Sequence, residues 1–243
     1  DKTDFDVVIL GGGVNGACLY DTLCQSGRKV LLGEKGDFGS GTSQASGMMV
    51  WGGLLYLKNL DLQVVLQLSR DRDRVLKQKP EWMEAERLRF LPPVQGGRPK
   101  WVVHAILWLY WMMGLGHRKS PRLENVFSEQ SLIIPGIVTG SLTYEEGFLR
   151  NSDARFVYRW ISPPQRLPGQ LALNYCSVDG NYAIRDHRWH LDLVDIESGK
   201  GVPVTSRMIV NCAGVWTDQV NARFGIDSPF RHALSKGVYM GFP

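Results

Sequence analysis

Phe5 to Leu10 is a short, β-branched apolar run that leads straight into Gly11-x-Gly13-x-x-Gly16. From Val14 to Ser26 apolar residues recur at helical spacing and stop at Gly27; Lys29 to Leu32 is a second apolar run, closed by Glu34. Strand, glycine turn, helix, strand is a βαβ unit, which requires parallel strands joined by a right-handed crossover. The first glycine permits the tight turn, the second lets a pyrophosphate reach the backbone, and the third lets helix and strand pack closely. The helix N-terminus then offers N–H groups and the positive end of its dipole to the phosphates. Glu34 lies 18 residues past Gly16, where a carboxylate accepts hydrogen bonds from an adenosine ribose. The pattern predicts a dinucleotide site on a Rossmann-like α/β fold with a parallel sheet.

Further along, Gly36 to Gly53 is rich in glycine and serine and too long for a simple connector, so it is expected to bind something. Leu60 to Lys79 has the spacing of an amphipathic helix stopped by Pro80, and its Arg/Asp alternation reads as a solvated face. Pro92, Pro93, Gly96, Gly97 and Pro99 mark a linker. Trp101 to Gly116 follows as an apolar helical stretch, with Arg98 and Lys100 before it and His117, Arg118 and Lys119 after it. A spanning helix needs about 20 apolar residues, so this shorter stretch reads as a helix that is either buried or laid on a membrane surface. Asp153 to Ile161 reads as another helix, ended by Pro163 and Pro164. Ala172 to Val178 and Trp189 to Ile196 alternate as strands, Glu197 to Gly201 is a hairpin turn, and Met208 to Cys212 is a buried strand running into Ala213 and Gly214.

Composition narrows the classes. A net charge of +4 without a Lys/Arg block argues against a nucleic-acid partner. Cys18, Cys24, Cys176 and Cys212 form no C-x-x-C pair and no His cluster accompanies them, so the expectation is reduced thiols in a cytoplasmic protein, with no metal site and no signal peptide. His104 reads as a satisfied core or rim histidine rather than a catalytic base.

The glycine motif does not distinguish FAD from NAD. A flavin needs a long loop beneath the pyrophosphate and a second close backbone approach far along the chain; Gly41-Thr42-Ser43 and the strand into Ala213-Gly214 supply both. With these features in hand, Asp6 to Gly16, Glu34 to Phe38, Ser40 to Ser43, Gly52-Gly53-Leu54 with Tyr56-Leu57, and Val210-Asn211 with Ala213-Gly214 resemble the FAD-dependent glycerol-3-phosphate dehydrogenase family, within the D-amino-acid-oxidase-like flavoproteins. Leu109-Tyr110, Asp153-Ala154-Arg155 and Ser235-Lys236-Gly237 are weaker echoes. The resemblance implies that Gly11, Gly13, Asn15 and Gly16 hold the pyrophosphate of FAD, with Glu34 and Lys35 at the adenosine ribose. Of that pair the ribose role falls to Glu34, with Lys35 a cofactor-binding residue beside it; Gly41, Thr42, Ser43 and Ser46 are implied to line the phosphate and ribityl path, and Gly47, Met48 and Met49 to pass near the flavin ring. Val178 would meet the adenine side, and Ala213, Gly214 and Trp216 would close over the cofactor. The implied reaction is hydride transfer from a small alcohol-type substrate to the flavin, with a quinone or another acceptor taking the electrons and peripheral membrane contact through residues 101–116, at the inner face of a membrane.

The family usually has lysine, histidine and arginine where this chain has Met48, Trp51 and Leu55. Its arginine is a substrate-phosphate contact, and the loss of fixed charge argues against a phosphate dianion. Trp51 and Tyr56 are the candidate catalytic-side residues, each with a packing role as the alternative. An uncharged polyol, a hydroxy acid or an amine as substrate, or a non-catalytic flavin-binding paralogue, are the other readings. Family members continue for roughly as long again, so the chain is expected to be an N-terminal half. Residues 1–84 and 147–224 read as the FAD-binding domain with a β-meander, and residues 85–146 and 225–243 as part of a substrate domain with an inserted helical region.

Overall fold

A computed structural model describes residues 3–116, 118–124, 136–163, 166–234 and 237; His117, Pro164, Ser235 and Lys236 lie outside the described residues. The opening run is β1 (Asp4–Leu10), the helix after the glycine turn is α1 (Val14–Gln25), and the second run is β2 (Val30–Gly33). α1 ends at Gln25 with Ser26 as its C-cap, and Gly27 follows with a φ of 76°, a left-handed conformation that suits a residue without a Cβ. The chain continues through β3 (Met49–Val50), α2 (Leu62–Gln78), β4 (Met83–Phe90), α3 (Lys100–Met112), β5 (Arg122–Glu124), β6 (Ser141–Leu149) and α4 (Asp153–Ile161). It closes with β7 (Gln170–Leu173), β8 (Cys176–Arg185), β9 (Arg188–Asp195), β10 (Gly201–Asn211) and α5 (Thr217–Arg223). Two compact units result: Asp1–Gly47 with Ser152–Pro243, and Met48–Asn151.

The first unit is a six-stranded sheet in the order β7-β2-β1-β10-β9-β8. Its first four strands run parallel, and β10, β9 and β8 form the antiparallel meander. Side chains alternate across the sheet. Val7 and Ile9 of β1, with Val30 and Leu32 of β2, pack against Ala17, Tyr20 and Cys24 of α1 and Val157 and Ile161 of α4. Val8 and Leu31 face the other way, into a cluster with Val178, Leu191, Leu193, Val204 and Phe224. Burial on both faces explains why the opening runs are continuously apolar rather than alternating. The stretch from Ala172 to Val178 is not the single strand that its alternation predicts. Tyr175 adopts a left-handed φ of 51°, and the chain breaks there into β7 beside β2 and β8 at the opposite edge.

In the second unit β6 pairs antiparallel with β4, Met83 opposite Leu149 and Phe90 opposite Leu142, and with β3 on its other side. Residues 85–146 therefore hold a sheet as well as a helix, where the sequence suggested a helical insertion. β4 (MEAERLRF) is mostly exposed and carries no strong strand pattern; pairing with the buried β6 fixes its conformation. The reading of α2 as a helix holds; that of its Arg/Asp run as a solvated face holds for Arg70 and Arg74 but not for Arg72 and Asp73. Val65, Ser69, Arg72 and Asp73 form its buried side, at the i, i+4, i+7, i+8 spacing of one helical face. The unit that contains α2 begins at Met48 and ends at Asn151, whereas the sequence suggested boundaries after residues 84 and 146.

Candidate functional site

In the first unit a cleft opens at the C-terminal ends of β1, β2 and β10, the end where parallel α/β sheets bind ligands. The glycine turn forms its base, and the fit is tight. A Cβ on Gly11, which has φ 110°, would meet the Cys212 carbonyl oxygen at 2.5 Å; one on Gly16 would meet the Gly11 oxygen at 1.9 Å. Gly16 is thus buried behind the turn and holds helix to strand, while Gly11, Gly13 and Asn15 face the cleft. α1 has no side-chain cap of its own, since its N-cap is Gly13. Ser43 Oγ reaches in from the following loop and accepts from the Val14 N–H at 2.9 Å. The amides of Asn15 and Gly16 have no intrahelical acceptor, so the first turn is arranged to receive an anion.

Glu34 sits at the tip of β2 with its backbone held between Leu173 and Cys176. Its Oε2 accepts from the Gly12 N–H at 2.6 Å and its Oε1 from Gly36 N–H at 2.9 Å. These bonds fix the carboxylate at the cleft, and each oxygen keeps a second lone pair for a donor such as a ribose hydroxyl. Lys35 Nζ lies 3.9 Å from the centre of the Trp216 ring. Gly41 also lies close to that indole, where an added Cβ would come within 3.1 Å of its ring. Gly41, Thr42, Ser43, Val178, Ala213, Gly214, Lys35 and Trp216 all line the cleft. An anion cradle, a fixed carboxylate and an apolar floor from Val178, Leu193 and Phe224 together form a donor and packing set that fits a dinucleotide.

Ser46 and Gly47 do not line the cleft; Ser46 instead donates its hydroxyl to Asp153. Met48 and Met49 begin the second unit, Met48 with a left-handed φ of 59°. Trp51 and Tyr56 also belong to that unit, with ring centroids 5.7 Å apart. Tyr56 and Leu55 are exposed, Leu55 by 57%.

Gly52, between them, rests against a buried ionic cluster. A Cβ there would lie 2.1 Å from Arg72 Nη1 and 2.3 Å from the Tyr110 hydroxyl. Arg72 donates to Glu146 Oε2 and to Tyr110 OH at 2.6 Å each, and pairs with Asp73 at 2.9 Å. Asp73 in turn accepts from Arg118 Nε at 3.2 Å and Leu115 N–H at 2.7 Å. Burial works against the Arg72 charge, but the Tyr110 hydroxyl, Glu146 and Asp73 outweigh it and its pKa is raised. Burial, and then the Arg72 charge, lower that of Arg118.

Several cleft residues carry no motif and escaped the sequence. Cys212 follows β10 directly, and Gln219, Arg223 and Phe224 come from α5 and its end. Only the adjacency of Cys212 to Ala213-Gly214 gave any signal. Burial raises the pKa of both Cys176 and Cys212, so these thiols stay neutral and are poor nucleophiles. His104 is satisfied as expected, its Nε2 accepting from Trp108 Nε1 at 3.0 Å.

A family model described as FAD dependent oxidoreductase matches residues 6–243. The aerobic glycerol-3-phosphate dehydrogenase of Staphylococcus saprophyticus is 29% identical over 243 residues, covering 98% of this chain and 43% of that protein. The D-erythritol 1-phosphate dehydrogenase of Brucella abortus is 30% identical, with 98% and 47% covered. The chain thus spans less than half the length of these curated relatives. Among solved structures, the glycerol-3-phosphate dehydrogenase of Bacillus halodurans complexed with FAD superposes with a TM-score of 0.63 at 18% identity, over 90% of this chain and 36% of that one. At that identity the likeness is one of fold.

Proposed function

The chain belongs to the FAD-dependent oxidoreductase family, and on that footing we propose that its first unit is the cofactor-binding part of an enzyme that oxidises a small alcohol-type substrate. Bound FAD supplies the hydride acceptor; the chain's own residues bind and orient it. The backbone of Gly11, Gly13 and Asn15 holds the pyrophosphate, with Gly16 keeping the turn closed. Glu34 takes the adenosine ribose beside Lys35. Gly41, Thr42 and Ser43 follow the phosphate and ribityl path, Val178 meets the adenine side, and Ala213, Gly214 and Trp216 cover the cofactor. The second unit is part of the substrate domain and carries Trp51 and Tyr56. The observation that carries this reading is the Ser43–Val14 bond over a glycine turn that admits no Cβ at Gly11 or Gly16. Purified full-length protein that holds no flavin and takes none up would overturn it.

The two relatives above are named for phosphorylated polyols, yet this chain presents uncharged side chains at both positions where the glycerol-3-phosphate dehydrogenase family has cations. Met48 is 43% exposed and Leu55 57%. Losing one charged hydrogen-bond partner costs about 1.5–3 kcal/mol, roughly ten- to hundredfold. Glycerol 3-phosphate is therefore expected to reduce the flavin poorly, and an uncharged polyol, a hydroxy acid or an amine to do better. Anaerobic stopped flow measures this; efficient reduction at micromolar glycerol 3-phosphate contradicts it. Bound FAD that no candidate reduces would point to a non-catalytic paralogue.

Among the described residues no helix is long and apolar enough to cross a membrane. α3 divides its faces: Val103, Leu107 and Tyr110 are buried, while Trp101 is 71% and Met112 61% exposed. Trp108, Leu109 and Leu115 extend the open face, and Arg98, Lys100 and Lys119 are exposed nearby. Arg118, a flanking cation in the sequence, is instead buried on Asp73, and Trp111 is tied to the Arg118 carbonyl. An open face of this kind suits the interfacial zone of an anionic bilayer, where a quinone acceptor resides. Full-length protein is expected to sediment with anionic vesicles, less at high salt, and Trp101→Ser with Met112→Ser to weaken sedimentation without lowering the melting temperature. Salt-independent absence of sedimentation refutes the membrane role.

A further inference from the structure

One carboxylate reaches the cofactor loop from far along the chain. Asp153, in the first turn of α4, is buried and separated from Ser46 by 107 residues. Its Oδ1 accepts from the Ser46 hydroxyl at 2.5 Å and its Oδ2 from the Ser46 N–H at 3.3 Å. The same helix touches the start of the loop: a Cβ on Gly39 would lie 3.3 Å from Val157 Cβ and 3.5 Å from Ala154 Cα. α4 is independently capped, Ser152 accepting from the Arg155 N–H at 3.2 Å, so the Asp153 carboxylate is left to serve the loop. Between these two anchor points the chain makes a tight turn over Thr42–Gln44, and that turn carries Ser43 to the Val14 N–H.

We infer that Asp153 is a positioning residue for the cofactor: by holding Ser46 through both hydroxyl and amide, it fixes the 41–46 loop so that Ser43 meets the first turn of α1. The inference rests on the reading that the first unit holds FAD. Asp153 touches no cofactor atom itself; it acts through Ser46 and the loop. Its negative charge sits at the N-terminus of α4, where the helix dipole favours it, and an ionised carboxylate is acceptor-only, matching the two donors that Ser46 presents. Asn in its place keeps one acceptor and turns the other position into a donor. The serine hydroxyl can rotate to accept from that donor, whereas the backbone N–H cannot.

The test is FAD affinity by fluorescence titration of full-length apoprotein, with the visible circular dichroism of bound flavin as a second readout. Asp153→Ala and Ser46→Ala are each expected to weaken FAD by roughly tenfold or more, with Asp153→Asn intermediate. The double variant is expected to lose little beyond Asp153→Ala alone, because Ser46→Ala removes one of the two bonds that Asp153→Ala already breaks. Altered flavin dichroism with a nearly unchanged apoprotein melting temperature marks positioning rather than general stability. Should Asp153→Ala fail to fold, Ser46→Ala and Asp153→Asn carry the comparison. Unchanged affinity in the single variants, or losses that add in the double one, overturns the inference and leaves the FAD reading intact. Wild-type apoprotein that takes up no FAD overturns both.

Discussion

Glu146→Ala is expected to cost the second unit about 3–5 kcal/mol, the range for removing one member of a buried, hydrogen-bonded ion pair. Glu146 is fully buried and accepts from both Arg72 and Tyr110. Its removal leaves the Arg72 guanidinium, whose side chain is 0% exposed, with Asp73 as its one remaining anionic partner among the described residues. Asp73 already serves Arg118 and the Leu115 N–H, so it has little spare capacity. The vacated space adds a cavity, and the desolvated charge dominates the loss. Glu146→Gln keeps the shape and one acceptor and should cost less. Tyr110→Phe removes only a hydroxyl, and about 1–3 kcal/mol is the scale for the unsatisfied groups it leaves. Urea denaturation followed by tryptophan fluorescence measures all three. A loss below about 1 kcal/mol for Glu146→Ala, the scale of a surface pair, would show that the cluster is solvated.

Gly13→Val is expected to abolish FAD binding while leaving the fold in place. Gly13 has φ −75° and ψ −175°, which any residue adopts. Among the described residues beyond its own chain neighbours and helix, an added Cβ meets Ser43 Oγ at 3.0 Å, a side-chain atom that can turn aside. What valine removes is the approach of a pyrophosphate to the backbone and the undisturbed Ser43–Val14 bond. Gly16→Ala acts differently. Its Cβ collides with the Gly11 carbonyl at 1.9 Å, between two backbone segments that cannot yield separately, so the turn itself is expected to open and the melting temperature to fall. The pair separates ligand exclusion from structural damage. If Gly13→Val bound FAD as well as wild type, the pyrophosphate would not lie against that backbone.

The β1–α1–β2 start was legible because its signals are local: a run buried on both faces, a turn that needs glycine, and a helix that ends at Gly27. α4 was read over the residues it occupies, since Asp153 to Ile161 is amphipathic and followed by proline. Elements whose causes are distant were not legible. Arg72 and Asp73 look solvated in sequence because the partners that allow their burial are remote: Tyr110 and Glu146 lie 38 and 74 residues from Arg72, and Arg118 lies 45 residues from Asp73. β4 has little strand character of its own and exists by pairing with β6. The break at Tyr175 depends on a left-handed residue that is neither glycine nor asparagine, so no turn signature announces it. In the cleft, the glycines, Glu34 and Ser43 stood in motifs. The role of Ser46 depends on Asp153, which is remote in sequence, and the α5 residues have no pattern to betray them.

The FAD content of the full-length protein decides whether the cleft of the first unit binds a flavin. The visible spectrum of the purified protein and the identity of the flavin released on denaturation are measured together, and apoprotein is titrated with FAD. The cleft at Gly11, Gly13, Glu34 and Ser43 predicts a yellow protein that releases FAD and, once stripped, regains its flavin spectrum in stoichiometric titration. A folded, colourless protein that no FAD titration reconstitutes would contradict the account at its base.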